Sequence, residues 1–147
     1  YAIEGPDDVR LELAPPLQAP RVMAVSKSPY LRLGARAAGH EGAKVFGFNY
    51  SQQIAGRPFV FWAVRLTSGW VTQARPGDGD ADFTLPDLAG VSSWDNSWGL
   101  SGNGEVTYDI RVESGTGSIS DFLAAPESKP VGYRSQSTST YGAFDPR

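Results

Sequence analysis

The segment 105–113, Glu-Val-Thr-Tyr-Asp-Ile-Arg-Val-Glu, carries the clearest structural signal in this chain. Apolar side chains stand at every second position from Val106 to Val112, and polar or charged side chains stand between them. Because successive side chains of a strand point to opposite faces of a sheet, this pattern predicts a strand with one buried and one solvated face. Such strands are typical of antiparallel sheets that pack one face on a core.

Similar strand signals recur before and after this segment, at intervals of about a dozen residues, as in sandwiches and barrels. The predicted strands are 21–26, 30–36, 43–50, 58–66, 69–74, 82–86, 105–113 and 118–123. The stretch 59–66 is apolar at both alternating sets of positions. It is predicted to be a central strand covered on both sides, or one that is covered on one side and contacts a partner on the other. Trp62 within it is predicted to lie in the core.

Composition favours one domain built from strands and turns. The 147 residues are 40% hydrophobic, enough for one core, and 17 Gly and 11 Pro interrupt any stretch that could form a long helix. We therefore predict an all-β antiparallel sandwich of about seven to nine strands at 20–125. An extended N-terminal arm at 1–19 precedes it, and a Ser/Thr/Pro-rich extended tail at 126–147 follows it.

Charge and cysteine content exclude several classes of function. The net charge is −3 and the basic residues are scattered, which argues against a nucleic-acid partner. There is no cysteine for a disulfide or a thiolate metal site, and no apolar run long enough to span a bilayer.

The chain begins at Tyr1, so we expect that a preceding segment has been removed. The surplus of Ser, Thr, Gly, Trp and Tyr indicates a secreted protein, extracellular or in the cell envelope.

Several short motifs resemble the second half of a fibronectin type III domain. They are Asp-Phe-Thr-Leu-Pro-Asp-Leu at 82–88, Val-Thr-Tyr-Asp-Ile-Arg-Val-Glu at 106–113 and Gly-Thr-Gly-Ser at 115–118, with Ala-Pro-Arg-Val at 19–22 matching the start of such a domain. The resemblance covers about 20–125 and implies an immunoglobulin-like sandwich in which the Tyr108 hydroxyl bonds to backbone just upstream. The chain departs from the family by lacking a Trp in 30–36 and by an insertion at 91–104.

The insertion and the residues before it resemble a second pattern. Leu-Pro-Asp-Leu at 85–88, followed by Trp94, Trp98, Gly99 and Leu100, is similar to fibronectin-like modules in bacterial cell-envelope lipoproteins. This resemblance implies an exported, surface-associated protein without catalytic activity.

Three tryptophans are candidate ligand-binding residues. Trp94 and Trp98 flank Asp95 and Asn96, and flat indoles beside short polar side chains suit the binding of a sugar. Trp70 is a further candidate for the same surface. Alternatively, the indoles at 94 and 98 plug one end of the sandwich, and both interpretations stay open.

Asp78, Asp80 and Asp82 alternate as the carboxylates at the start of a calcium loop do. The rest of that loop is missing, because Phe83 stands where an EF-hand needs Gly and Ala89 where it needs a bidentate Glu. The segment is therefore either a solvated acidic turn or a calcium site. No other cofactor is indicated.

Catalytic signals are weak, and we predict that the chain is not an enzyme. His40 is the single histidine, placed in a loop, and no nucleophile elbow is present. Glu105 and Glu113 share a strand face but lie about 26 Å apart, too far for a glycosidase pair.

Four functions remain open. The chain could be an interaction module that contacts protein subunits of an extracellular or cell-envelope assembly, a decoration or tail protein on a virion surface, a carbohydrate-binding domain, or a β-sandwich glycan hydrolase.

Overall fold

The computed structural model describes residues 15–74 and 79–147. Within them, seven strands form two antiparallel sheets, which confirms the predicted all-β sandwich. The strands are β1 Arg21–Ser26, β2 Arg32–Ala37, β3 Ala43–Gln52, β4 Val60–Thr67, β5 Ala81–Thr84, β6 Val106–Gly115 and β7 Ser135–Phe144. Most of the predicted N-terminal arm lies outside the described residues, and 15–20 form no regular element.

The smaller sheet has the strand order β1-β2-β5, and the larger sheet has the order β4-β3-β6-β7. The chain therefore crosses between the sheets after β2, after β4 and after β5. β3 and β6 are the central strands of the larger sheet and pair from Ser51 opposite Thr107 to Ala43 opposite Ser114. β4 and β7 form its two edges.

The core lies between the inward faces of the two sheets. The alternation in 105–113 predicted this correctly, since Val106, Ile110 and Val112 are buried and face the core. The other sheet positions whose apolar side chains are buried in this core are Leu33, Ala35, Ala37, Phe46, Phe48, Tyr50, Val60, Leu66 and Ala81. No helix in the described part of the chain has the length and apolar character to cross a membrane.

The strand predicted at 69–74 is wrong, because helix α1 occupies Ser68–Ala74. Where β4 ends, the Thr67 hydroxyl accepts a hydrogen bond from the Trp70 backbone nitrogen at 3.3 Å, which begins a helical turn. In this helix Val71 alone is buried, so the segment has one inward contact and no alternating face.

The strand predicted at 118–123 is also wrong, because helix α2 occupies Ile119–Leu123. Ser118 and Asp121 form a reciprocal capping box at its start, and Phe122 is buried beneath it. The Ser-x-x-Asp spacing is the sequence signal for this helix start.

Residues 135–144, assigned from the sequence to an extended tail, form β7 instead. This strand pairs with β6 along its whole length, from Ser135 opposite Gly115 to Phe144 opposite Val106. Its Ser/Thr composition lacks an apolar alternation, which is why it resembles a linker. Thr is nevertheless a good strand former, and the pairing with β6 satisfies the backbone.

Candidate functional site

Trp94, in the connection between β5 and β6, closes one side of the sandwich. Its ring contacts Tyr30, which precedes β2 of the smaller sheet, with centroids 5.5 Å apart. It also contacts Trp62 of β4 in the larger sheet, at 5.9 Å. Trp94 is half-buried between these rings. It therefore lies where an indole that plugs one end of the sandwich would lie, which is the alternative to a ligand-binding role. Trp62 is half-buried and packs against the core.

Trp98 faces outward from the same loop. Its ring meets Trp94 edge-on, with centroids 5.8 Å apart, and 55% of the residue remains exposed. It ends a 3₁₀ turn, Asn96–Trp98, in which Asp95 Oδ1 accepts a hydrogen bond from the Ser97 backbone nitrogen at 2.8 Å. Hydrogen bonds from the backbone and side chain of Ser97 also hold the pKa of Asp95 below its usual value. Asp95 thus serves as the cap that orients Trp98.

Two phenylalanines extend this aromatic surface onto the edge of the larger sheet. Phe59 and Phe61 are 60% and 59% exposed, and their rings stack with centroids 6.5 Å apart and planes 10° apart. Of the two alternatives predicted for 59–66, the central strand covered on both sides is wrong, because β4 is an edge strand and Phe61 is exposed on its outer face.

These rings share one depression of about 380 Å³, which we call the aromatic edge. It is lined by Pro58, Phe59, Val60, Phe61, Trp62, Trp94, Ser97 and Trp98. No lining residue carries a charge. Sequence analysis did not select Phe59 or Phe61, although the doubly apolar pattern of 59–66 left a partner contact on one face as an open alternative.

Tyr30 holds the start of the loop that carries Trp94 and Trp98. Its hydroxyl donates to the Pro86 carbonyl at 3.0 Å and accepts from the Leu88 nitrogen at 2.6 Å. A Cβ atom at Gly99 would lie 2.6 Å from the Tyr30 ring, so the chain passes too close for any other residue.

Gln52, at the end of β3, holds the other end of this loop. Its side-chain nitrogen donates to the carbonyls of Ser101 and Gly104 at 2.9 and 2.8 Å, and its oxygen accepts from the Ser101 nitrogen at 2.7 Å. Gln52 is buried, so these bonds form away from water. With both ends held, the loop presents Trp98 in a fixed position.

Trp70 does not belong to the aromatic edge. It is 48% exposed on α1, which follows the last residue of β4, whereas Trp62 lies near the first. The five residue steps from Trp62 to Thr67 span about 17 Å of strand. The structure therefore separates Trp70 from Trp94, Asp95, Asn96 and Trp98.

Of the three candidate calcium ligands, Asp80 and Asp82 lie within the described residues. Asp80 Oδ2 lies 2.7 Å from the Arg36 guanidinium, and Asp80 Oδ1 accepts from the Gly39 nitrogen at 2.8 Å. Asp82 stands opposite Arg36 in the β2–β5 pair, and Asp78 lies outside the described residues. Residues 15–74 and 79–147 contain no group of three His, Cys, Asp or Glu side chains that could hold a metal ion.

His40 lies in the loop between β2 and β3, as predicted. Its Nδ1 and Nε2 lie 3.1 and 3.3 Å from the carbonyl oxygens of Glu41 and Pro15. Both ring nitrogens thus meet backbone oxygens.

Comparison of the chain with known protein families, curated proteins and solved structures found no match.

Proposed function

We propose that this chain is a noncatalytic interaction module of an extracellular, cell-envelope or particle-surface assembly. The aromatic edge is its contact with the next subunit, and that subunit is a second copy of the same chain. One observation carries the proposal: three large aromatic side chains, Phe59, Phe61 and Trp98, are each more than half exposed within a single uncharged depression.

The architecture supports an interaction module related to fibronectin type III domains. Two antiparallel sheets of three and four strands, joined by connections that cross between them, suit an immunoglobulin-like sandwich. The resemblance of 82–88 and 106–113 to fibronectin type III motifs adds to this. Modules of this class present their edges and loops to partners.

The chemistry of the aromatic edge favours a protein partner. Contiguous exposed apolar surface marks interaction sites, and interface centres are rich in aromatic residues and poor in charge. The stacked pair of Phe59 and Phe61 has no hydrogen-bonding group for a sugar hydroxyl, but it buries well against another apolar surface.

Neutrality and rigidity favour a second copy as that partner. In a two-fold symmetric dimer each patch meets itself, so a charged patch would be repelled, and this patch carries no charge. Stacking of the phenylalanines and the anchored loop hold the rings in place before contact, which lowers the entropy lost on binding.

Sedimentation velocity over micromolar to millimolar concentrations tests the proposal. We expect the wild-type chain to dimerise reversibly and the double variant Phe59→Ser, Trp98→Ser to raise the dimer dissociation constant at least about tenfold. Met23→Ser is the matched control, because Met23 is 45% exposed on the outer face of the other sheet. It should leave dimerisation unchanged.

Two results would contradict the proposal. The first is a wild-type chain that stays monomeric at millimolar concentration. The second is a dimer that the double variant does not weaken.

A further inference from the structure

The outer face of the larger sheet carries a groove that is distinct from the aromatic edge. It has a volume of about 710 Å³, within the range of roughly 300–1,000 Å³ typical of ligand sites. We call it the sheet groove. The residues that line it are Asn49, Ser51, Phe61, Thr107, Tyr108, Asp109, Tyr141, Gly142 and Ala143.

Aromatic side chains form the two rims of the sheet groove. Tyr141 is 70% exposed on edge strand β7, and Phe61 is 59% exposed on edge strand β4. Three strand spacings separate these edges, roughly 14 Å in all. A flat ligand that crosses the sheet therefore meets one ring at each side.

The floor between the rims carries several polar side chains. Ser51 and Thr107 stand opposite each other and share a hydrogen bond of 2.7 Å between their hydroxyls. In the next row, Asn49 stands opposite Asp109, and Asp109 stands opposite Tyr141. Hydroxyl, amide and carboxylate groups thus lie in two adjacent rows of the sheet.

Part of this floor lacks hydrogen-bond partners. Asn49 Nδ2 and an Arg111 terminal nitrogen both donate to the same Asp109 oxygen, Oδ2, at 3.2 Å. Asp109 Oδ1 and Arg111 Nε are buried and have no partner among the described residues. Unpaired buried polar atoms are uncommon in folded proteins.

The floor continues along the strands and is neutral overall. A second depression of about 360 Å³ adjoins it over Gly47, which has no side chain, and Ala63, whose side chain is a single methyl group. Arg65 pairs with Glu113 there at 3.7 Å, and Arg111 pairs with Asp109 at 3.2 Å. Across the two depressions together, two cations and two carboxylates cancel, so their combined floor has no net charge.

We propose that the sheet groove binds a neutral oligosaccharide. Sugar rings carry apolar C–H faces that stack on Tyr141 and Phe61. Their hydroxyls both donate and accept, which matches the mixed floor formed by Ser51, Asn49 and Thr107. A peptide fits less well, because the floor offers no apolar pocket between the rims. The two sites share the side chain of Phe61 and have no other lining residue in common.

Isothermal titration calorimetry with cellohexaose, xylohexaose, mannohexaose and chitohexaose tests the site on the whole chain. We expect at least one of these probes to bind the wild-type chain. Tyr141→Ala should weaken that binding about tenfold or more through loss of stacking, and Tyr141→Phe should retain it. Thr107→Val, which keeps the shape but removes the hydroxyl, should weaken it about fivefold.

The two proposals can fail separately. The Phe59→Ser, Trp98→Ser variant should lose dimerisation and keep oligosaccharide binding, whereas Tyr141→Ala should do the reverse. The oligosaccharide proposal is overturned if none of the four probes binds, or if Tyr141→Ala binds as tightly as the wild-type chain.

Discussion

The side chain of Tyr108 in β6 lies directly over Gly142 in β7. The two residues stand opposite each other in the strand pair, and a Cβ atom at position 142 would lie 2.2 Å from the Tyr108 hydroxyl oxygen. The ring thus fills the space that the glycine leaves in an edge strand. The fibronectin resemblance implied a hydrogen bond from this hydroxyl to backbone just upstream, and none is present in the described residues. Tyr108 instead secures the register of the following strand.

Gly142→Ala should destabilise the chain by about 1–3 kcal/mol, because the new methyl group forces Tyr108 out of its place. Urea unfolding measures the change. Gly47→Ala is the strand control, since a Cβ there meets nothing closer than 3.7 Å, and it should change stability by less than about 0.5 kcal/mol. In a Tyr108→Ala background the penalty at 142 should shrink; an undiminished penalty would show that the contact is not its cause.

Tyr50→Phe should stabilise the chain by about 1 kcal/mol at neutral pH. Tyr50 is fully buried, and its hydroxyl has no hydrogen-bond partner among the described residues, so the wild-type chain buries an unsatisfied polar group. Chemical denaturation of the two chains gives the difference directly. A loss of 1 kcal/mol or more would indicate a partner for the hydroxyl.

The same substitution should change the response of stability to alkaline pH. Burial raises the pKa of Tyr50 above its unfolded value of about 10. Ionisation of Tyr50 therefore leaves the stability of the wild-type chain unchanged below a pH of about 10. As the pH rises further, that stability declines, because the unfolded chain releases the proton first. Above that pH the gap between Tyr50→Phe and wild type should widen by about 1.4 kcal/mol per pH unit. Parallel stability curves would rule this out.

Gln52→Ala should destabilise the chain by about 2–4 kcal/mol, since it removes the buried bonds to Ser101 and Gly104 and leaves their backbone groups unpaired. Its neighbour Gln53 is exposed and bonds only to nearby backbone, so Gln53→Ala should change stability by less than about 0.5 kcal/mol. Thermal unfolding compares the pair. Equal effects at both positions would argue against Gln52 as the anchor of the loop.

Trp94→Ala and Trp98→Ala should differ sharply. Trp94 contacts Tyr30, Trp62 and Trp98, so its loss should cost about 2–4 kcal/mol of stability. Trp98 is 55% exposed, and its loss should cost less than about 1 kcal/mol. Urea unfolding at a concentration where the chain is monomeric separates these effects from dimerisation. A larger loss at Trp98 than at Trp94 would reverse the assigned roles.

The candidate site could be predicted only in part. Sequence analysis selected Trp94 and Trp98 by residue type, but it could not separate the ring that plugs the sandwich from the ring that faces solvent. It did not select Tyr141, because the Ser/Thr run at 135–140 resembles a linker when its pairing with β6 is unknown. Exposure and pairing depend on neighbours that are distant in the chain, and no local pattern records them.

The strand-forming segments from Arg21 to Gly115, apart from 69–74, follow from the sequence alone. Alternation is a local property: each side chain of 105–113 takes its face from the backbone period, whatever else surrounds the strand. Folding determined the rest. The order β4-β3-β6-β7 left β4 at an edge with Phe59 and Phe61 exposed, and brought Tyr141 and Asp109 side by side. Those outcomes depend on which strands pair across long stretches of chain, and that pairing is settled by packing of the whole core.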